Sequence, residues 1–323
     1  MVRVLKEITI DNLISFVIPC YRSEKTISKV YTEIVEVMAQ RPAFDYEIIA
    51  VNDCSPDNVL EVLSKLAVQD QKVKVVDLAK NFGKHSAMMA GYSFVRGAIV
   101  VNLDDDCQCP VYELWKLIDP IINEGYDCVT AVYKKKQEKA WKRLGSMMNA
   151  QMINTLIEPP KGISVENFFA TKRYVSEEML NYRNPYPYIA GLLLRATHRI
   201  KMVPMEERER GDDKSTGFTL KKSISLFANG LTAFSIKPLR AASAIGIAFS
   251  IIGFVYGLYV VVRKLLHPKM PIGYSSIMAT IVFSAGVIML LLGIIGEYLG
   301  RIYISLNNSP QYVIRETINI EEE

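Results

Sequence analysis

Ala98-Ile99-Val100-Val101-Asn102-Leu103-Asp104-Asp105-Asp106-Cys107-Gln108-Cys109-Pro110 passes without a break from a largely apolar run into three consecutive carboxylates. The run Ala98 to Leu103 reads as a buried strand, and the acidic cluster stands at its carboxyl end. In an open α/β sheet, ligands bind outside the carboxyl ends of the strands, and alternate residues of an extended segment share a face. Asp104 and Asp106 are therefore expected to converge on one ion while Asp105 points away. Hard oxygen ligands suit Mg²⁺ or Mn²⁺, which take one or two protein carboxylates and fill their octahedron with water and phosphate oxygens. The spacing predicts a metal–diphosphate site; the bland alternative is an acidic turn that caps the next helix.

Outward from this strand the chain keeps a βα rhythm. Short β-branched runs at Ile14–Ile18, Glu47–Val51, Val73–Asp77, Ala98–Leu103 and Asp127–Val132 alternate with helical patterns near Glu24–Ala39, Asn58–Val68, Lys84–Val95 and Val111–Glu124. The expected fold is α/β, a mostly parallel sheet with helices on both faces. Gln137 to Ile157 patterns as an amphipathic helix, Pro159-Pro160 and Gly162 break the chain, a mixed region runs to Met205, and Glu206 to Gly217 is a charged loop.

The chain is 323 residues long and half apolar, enough for a full core and a smaller appendage. The appendage is C-terminal. Ala241 to Val262 carries no charge and rises about 33 Å as a helix, enough to cross a hydrocarbon core of ~30 Å. Tyr274 to Gly296 has the same reach, and a turn with two prolines joins the two. A transmembrane hairpin is predicted, against the alternative of two buried helices of a soluble core. Leu220, Ile224, Phe227, Leu231 and Phe234 form an apolar stripe beside Lys221, Lys222 and Lys237, the pattern of a helix lying in a membrane interface or packing on the preceding domain. The boundaries that follow are a catalytic domain over 1–217, the interfacial helix over 218–238, the two spans within 239–300 and a tail over 301–323.

The stretch Ile14 to Ile18 is too short for a secretory signal, so the catalytic domain and both termini are expected in the cytosol. Five cysteines at 20, 54, 107, 109 and 128 lack CxxC spacing and read as reduced thiols. A net charge of +4 is mild, and no nucleic-acid partner is expected; the basic residues around the apolar segments suit anionic membrane lipids.

Each strand end of the first half offers something a nucleotide-sugar site needs. Pro19-Cys20-Tyr21 with Glu24 follows the first, and Asn52-Asp53-Cys54-Ser55 the second, where a loop-tip carboxylate can accept the ring N–H of a base. Lys80-Asn81-Phe82-Gly83-Lys84 follows the third and opens a helix whose N-terminal amides favour phosphate. Singly, Asp53 reads equally as a turn or N-cap residue and Lys84 as a solvated charge. Four such features in register at one sheet edge point to a site.

These residues resemble the family-2 inverting glycosyltransferases of GT-A fold, in the branch that charges polyprenyl phosphate with a sugar. Ser15 to Tyr21 resembles the family's first strand and P-x-Y turn, Val51 to Ser55 its base loop, Leu78 to Gly91 its asparagine–glycine–lysine segment, and Leu103 to Pro110 its D-x-D-x-Q-x-P metal motif. Lys214 to Phe234, Pro238-Leu239-Arg240 and Gly296-Glu297-Tyr298 with Arg301 resemble its membrane-proximal signature. The resemblance implies that Asp104, Asp106 and Gln108 hold Mg²⁺ or Mn²⁺, and that Pro19, Tyr21, Glu24, Asp53, Lys84 and Asp105 serve the nucleotide. It places Arg208, Arg210 and Lys214 on a loop over the diphosphate. Two departures stand out. Cys109 replaces an Asp or Asn, and Phe169 replaces an arginine that contacts the acceptor phosphate, for which Lys172 or Arg173 are the expected substitutes.

The implied reaction is attack of a polyprenyl phosphate oxygen on the anomeric carbon of a nucleotide sugar, uridine being the expected base and undecaprenyl the expected lipid. The resemblance implies an integral enzyme of the bacterial plasma membrane that forms a homo-oligomer; the alternatives are a processive polysaccharide synthase, a transferase to a lipid hydroxyl with Glu166 as base, and an inactive membrane scaffold. The two tryptophans, Trp115 and Trp141, lie in the wrong places for a synthase's chain-binding motif, and a scaffold needs no metal triad.

Overall fold

The computed structural model describes residues 12–133, 163, 165–206, 208, 237–266, 273–306 and 310–320. The expected helix at Gln137–Ile157, the loop residues Arg210 and Lys214, and the interfacial helix before Lys237 lie outside the described residues. The chain divides into two compact units, one drawn from Met1–Thr219 with Asn308–Glu323 and one from Leu220–Asn307.

In the first unit, β1 (Leu13–Cys20), α1 (Ile27–Ala39), β2 (Asp45–Asn52), α2 (Val59–Gln69), β3 (Val73–Leu78), α3 (Lys84–Tyr92) and β4 (Ile99–Asn102) follow the predicted rhythm. A 3₁₀ turn at Val111–Glu113 leads into α4 (Trp115–Asn123) and β5 (Cys128–Tyr133). The formerly mixed region then resolves into β6 (Phe169–Lys172), α5 (Arg173–Leu180), α6 (Ile189–Ala196) and β7 (Ile200–Met205). A last strand, β8 (Ile314–Ile318), comes from the C-terminal tail. Together they make one eight-stranded sheet in the order β7-β5-β6-β4-β1-β2-β3-β8. β1 pairs in parallel with both β2 and β4, whereas β6 and β8 run antiparallel to their neighbours.

Alternation along the central strands explains why helices cover both faces. Phe16, Ile18, Ile48 and Ala50 point into a core shared with α1, α2 and α4, while Val17, Ile49, Val51 and Val100 point into a second core shared with α3, α5 and α6. α3 approaches the sheet closely because Gly91 has no side chain: a Cβ there would stand 2.5 Å from Val17 Cγ1. The chain leaves β1 for β2 on one side and reaches β4 on the other, so a crevice opens outside the carboxyl ends of β1 and β4.

At the opposite end of the sheet, buried charge is fully paired. Glu47 accepts from Ser15 Oγ, from the Arg96 N–H at 2.7 Å and from the Lys74 ammonium. Burial pushes its pKa up, but the three partners outweigh burial and hold the carboxyl below its usual range.

The second unit contains α7 (Lys237–Leu266) and α8 (Tyr274–Leu306). They pack side by side, with the rings of Phe249 and Phe283 5.5 Å apart. Phe283–Gly300 in α8 is long and apolar enough to cross a membrane; the apolar segment of α7, Ala242–Tyr256, is shorter among the described residues.

Candidate active site

The loops that leave β1, β2, β3 and β4 meet at one edge of the sheet and are tied to one another by named hydrogen bonds. Asp105, turned away from its neighbours as alternation requires, accepts the Tyr21 N–H at 2.9 Å and so locks the β4 turn to the β1 loop. Burial pushes the Asp105 carboxyl up to about 6, with Asp104 and Asp106 adding to the rise against the bond from Tyr21. Glu24 and Asp57 link the β1 and β2 loops reciprocally: Glu24 N–H donates to Asp57 at 3.0 Å, and Asn58 N–H to Glu24 at 3.3 Å. Pro19 is buried within β1, whereas the Tyr21 ring is exposed at the crevice rim.

Arg22, Cys54 and Cys107 all have positive φ, at 58°, 47° and 61°. One lies in each of the loops after β1, β2 and β4. Such conformations are costly for residues with a side chain, and they collect where a site over-determines the backbone.

Asp104 faces the crevice with both oxygens engaged. Oδ1 meets the Lys84 ammonium from the first turn of α3, and Oδ2 accepts from Asn167 Nδ2 at 2.9 Å. Asp106 Oδ1 accepts the Gln108 N–H at 3.1 Å, which tightens the turn. Cys109 lies beneath, 3% exposed, with Sγ 3.5 Å from the Asp104 N–H; burial pushes its thiol up to about 12. The residue that departs from the family pattern is thus a neutral group under two carboxylates, where an aspartate would add a third negative charge.

Among the described residues, no three His, Cys, Asp or Glu side chains gather as a metal cluster. By type, the carboxylates of Asp104 and Asp106 and the carboxamide of Gln108 are oxygen donors that suit a hard cation completed by phosphate and water. A cation bound there would share Asp104 with the Lys84 ammonium and the Asn167 carboxamide.

Other expected residues lie elsewhere. Asp53 is no open loop tip. It is 3% exposed, and its oxygens accept the Phe82 and Gly83 N–H groups at 2.7 and 2.8 Å, so it shapes the turn that delivers Lys84. Gly83, at φ 88°, makes that turn possible. Arg208 grips Glu33 on α1 through two 2.7 Å contacts and lies over the Tyr112 ring, rather than reaching the carboxylates. Lys172 and Arg173 are at the wrong end: β6 runs antiparallel to β4, so Phe169 opposes Asn102 near the crevice and Lys172 opposes Ile99 far from it. Lys172 pairs with Asp127 at 2.9 Å, and Arg173 with Glu177. The antiparallel entry of β6 instead brings Glu166 and Asn167 to the site. A polar pair just before an apolar run, Asn167 ahead of Phe168-Phe169-Ala170, was the available signal.

Comparison with known proteins agrees with this architecture. In fold, the chain is similar to the crystal structure of glucosyl-3-phosphoglycerate synthase from Mycobacterium tuberculosis with phosphoglyceric acid, at a TM-score of 0.51 and 18% identity over 69% of this chain and 78% of that one. The glycosyl transferase family 2 model matches residues 15–182, and the GtrB C-terminal hairpin model matches residues 237–302. The chain belongs to glycosyl transferase family 2 and is a glycosyltransferase. Among its relatives, glycosyltransferase YkcC of Bacillus subtilis (strain 168) is 33% identical over 310 residues, 95% of this chain and 94% of that protein. The undecaprenyl-phosphate 4-deoxy-4-formamido-L-arabinose transferase of Proteus mirabilis (strain HI4320) is 30% identical, covering 96% and 95%. That of Yersinia enterocolitica serotype O:8 / biotype 1B is 32% identical, covering 96% and 94%.

Proposed function

We propose that the protein is an integral membrane enzyme that transfers a sugar from a nucleotide sugar, uridine-linked, to the phosphate of a polyprenyl phosphate such as undecaprenyl phosphate, with inversion. The observation that carries the reading is that one chain joins an oxygen-rich crevice to two long apolar helices and then returns to the same sheet through β8. An acceptor with an isoprenoid tail stays in the bilayer and offers only its head to such a crevice. The names of the Proteus and Yersinia relatives support the acceptor class.

The acceptor oxygen forms a bond to the anomeric carbon as the bond to the donor diphosphate breaks, and the nucleoside diphosphate leaves. An acceptor phosphate monoester has its second pKa at about 6 and is largely ionised at neutral pH, so no strong protein base is needed. Asp104, Asp106 and Gln108 would hold Mg²⁺ or Mn²⁺, which when bound stabilises charge on the leaving diphosphate. Lys84 stands beside Asp104, at the first turn of α3, where its charge also favours diphosphate. Arg210 and Lys214 follow Arg208 in the chain and would add cations from the same segment. Asp53 acts from below by shaping the Lys80–Lys84 turn.

Purified protein incubated with polyprenyl phosphate, Mg²⁺ or Mn²⁺ and a panel of nucleotide sugars should yield one lipid-linked sugar by mass spectrometry. A polymer, or no product with any donor, would refute the reading. Asp106→Ala should fold with unchanged thermal transition and lose at least about 100-fold in transfer, the scale of removing one transition-state stabiliser. A second reading, transfer to a lipid hydroxyl, draws on the placement of Glu166, whose charge is felt at Tyr133 and Tyr188. Under that reading Glu166→Gln abolishes transfer; with a phosphate acceptor the variant keeps a turnover within about tenfold of the wild type, because general-base help is worth ~10²–10⁴ where it is used.

A further inference from the structure

The C-terminal tail enters the sheet with a defect that aims one side chain at the loops after β2 and β3. β8 runs antiparallel to β3, with Asp77 opposite Glu316 and Leu78 opposite Ile314, so Arg315 is an extra residue at a register shift. A bulge of this kind re-aims the residue it leaves unpaired. Both ends of the tail are pinned: Gln311 Nε2 donates to the Tyr182 and Asn184 carbonyls at 3.1 and 2.8 Å, and Asn319 Nδ2 to those of Ala67 and Val73 at 2.7 and 2.9 Å. The Arg315 guanidinium is therefore delivered from a fixed strand.

Its contacts lie at the carboxyl ends of β2 and β3. Nη1 donates to Asp77 Oδ2 at 3.0 Å, and Nη2 to the Ala79 carbonyl at 3.0 Å, with Cys54 Sγ 3.9 Å away. Asp77 is 1% exposed, and its other oxygen accepts from Asn52 Nδ2 at 2.7 Å. Asn52 Oδ1 accepts the Ser55 N–H at 3.1 Å, and Ser55 Oγ accepts the Arg22 N–H at 2.8 Å. An unbroken polar chain thus leads from the tail, through the Asn52–Ser55 loop, to the backbone beside Tyr21. That loop contains the strained Cys54, whose backbone has little reason to hold φ 47° without outside support. Neither family model reaches the tail; they end at residues 182 and 302.

We infer that Arg315 is a positioning residue for the donor: through Asp77, Asn52 and Ser55 it fixes the loops that receive the nucleoside, so the tail that follows the hairpin sets donor affinity. The inference rests on reading the loops after β1 and β2 as the nucleoside side of the crevice. Removing the guanidinium leaves a buried carboxylate with one fewer partner and frees the loop it braces. Lysine keeps the charge but cannot span Asp77 and the Ala79 carbonyl with one fork.

The test uses the full chain in nanodiscs, titrated with uridine, cytidine, guanosine and adenosine diphosphates in the presence of Mn²⁺, followed by transfer kinetics with the donor the wild type accepts. Arg315→Met should weaken nucleoside diphosphate binding and raise the donor KM about tenfold, the value of a lost charged hydrogen bond, with kcat and the acceptor KM within about twofold. Arg315→Lys should fall between. Asp77→Asn should weaken donor binding too, and the double variant Arg315→Met/Asp77→Asn should be no weaker than the worse single one, since they act in one chain. A folded Arg315→Met with wild-type donor affinity overturns the inference and leaves the tail a plain edge strand. Should Arg315→Met fail to fold, a folded Arg315→Lys with wild-type affinity overturns it equally. A wild-type protein that binds none of the four diphosphates sinks the donor reading itself, an outcome distinct from any change caused at Arg315.

Discussion

His85 follows Lys84 in the first turn of α3, and its Nδ1 is buried without a hydrogen-bond partner. Its ring meets Tyr188 edge-on, with centroids 5.6 Å apart. Burial, then the neighbouring Lys84 charge, lowers its pKa to about 4. A histidine charges easily in the unfolded chain, near 6.5, but not here, so between about 6.5 and about 4 the unfolded state binds more protons. Folding stability is therefore whole above the unfolded pKa and falls as pH drops through that window. The loss is on the order of 3 kcal/mol. His85→Gln, which cannot charge, should lose less stability than the wild type between pH 7 and pH 4.5. Thermal melts of both proteins across that range check it; parallel curves would show that the ring is not held neutral by the fold. Because the same turn presents Lys84 to Asp104, a stable neutral ring at position 85 also keeps a second positive charge from competing there.

At the scale of elements, the strands that could be read from sequence are those buried on both faces. Residues 14–18, 47–51, 73–77, 98–103 and 127–132 are short runs dominated by apolar and β-branched residues, and each overlaps an observed strand. Their loops could be read too, because a strand end in this topology has one place to put its polar residues. β6, β7 and β8 carried weaker signals. β6 is four residues long, β7 contains Pro204 and lies at the sheet edge, and β8 holds three consecutive polar residues between two isoleucines in a tail that reads as exposed. Missing the antiparallel entry of β6 is what leads a reading from sequence to expect Lys172 and Arg173 at the crevice, when they lie at the other end of the sheet. Missing β8 hides Arg315. The turn from α3 into β4 makes a prediction at this scale. A Cβ on Gly97 would lie 2.6 Å from the Leu13 carbonyl oxygen and 2.8 Å from the Ser15 N, both main-chain atoms that cannot swing aside. Gly97→Ala should therefore cost about 1–3 kcal/mol, the usual range for overpacking, measured by denaturation of the detergent-solubilised protein. A variant as stable as the wild type would mean that β1 and β4 separate here at no cost, and with them the two sides of the crevice.

For the whole molecule, β8 constrains how the chain can meet a bilayer. It pairs with β3, so the chain up to Thr219 and the chain from Asn308 onward belong to one compact unit, and a membrane hairpin between them would return the chain to the side it left. The two helices can then cross only an even number of times. Twice is the natural number for helices of 30 and 33 residues joined by a short connection. Their described surfaces suit lipid, with Phe254, Met289 and Leu290 more than half exposed. Among the described residues the apolar segment of α7 is shorter than that of α8, so a crossing by α7 would be the weaker of the two. Charge at the turn is in conflict with the bias that places basic loops in the cytosol, since Arg263, Lys264 and Lys269 would lie outside while Lys221, Lys222, Lys237 and Arg240 lie inside. The expected cytosolic catalytic domain would override that bias, because loop charge directs short segments rather than whole domains. Single cysteines placed at Pro271 and at Ser309, in a chain whose five native cysteines are replaced by serine or alanine, separate the possibilities in intact cells. An impermeant maleimide should label Pro271→Cys from outside and reach Ser309→Cys only after the cells are opened. Labelling of both from the same side would mean that the helices lie in the interface without crossing it, and the acceptor phosphate would then have to reach the crevice by another route than the bilayer plane.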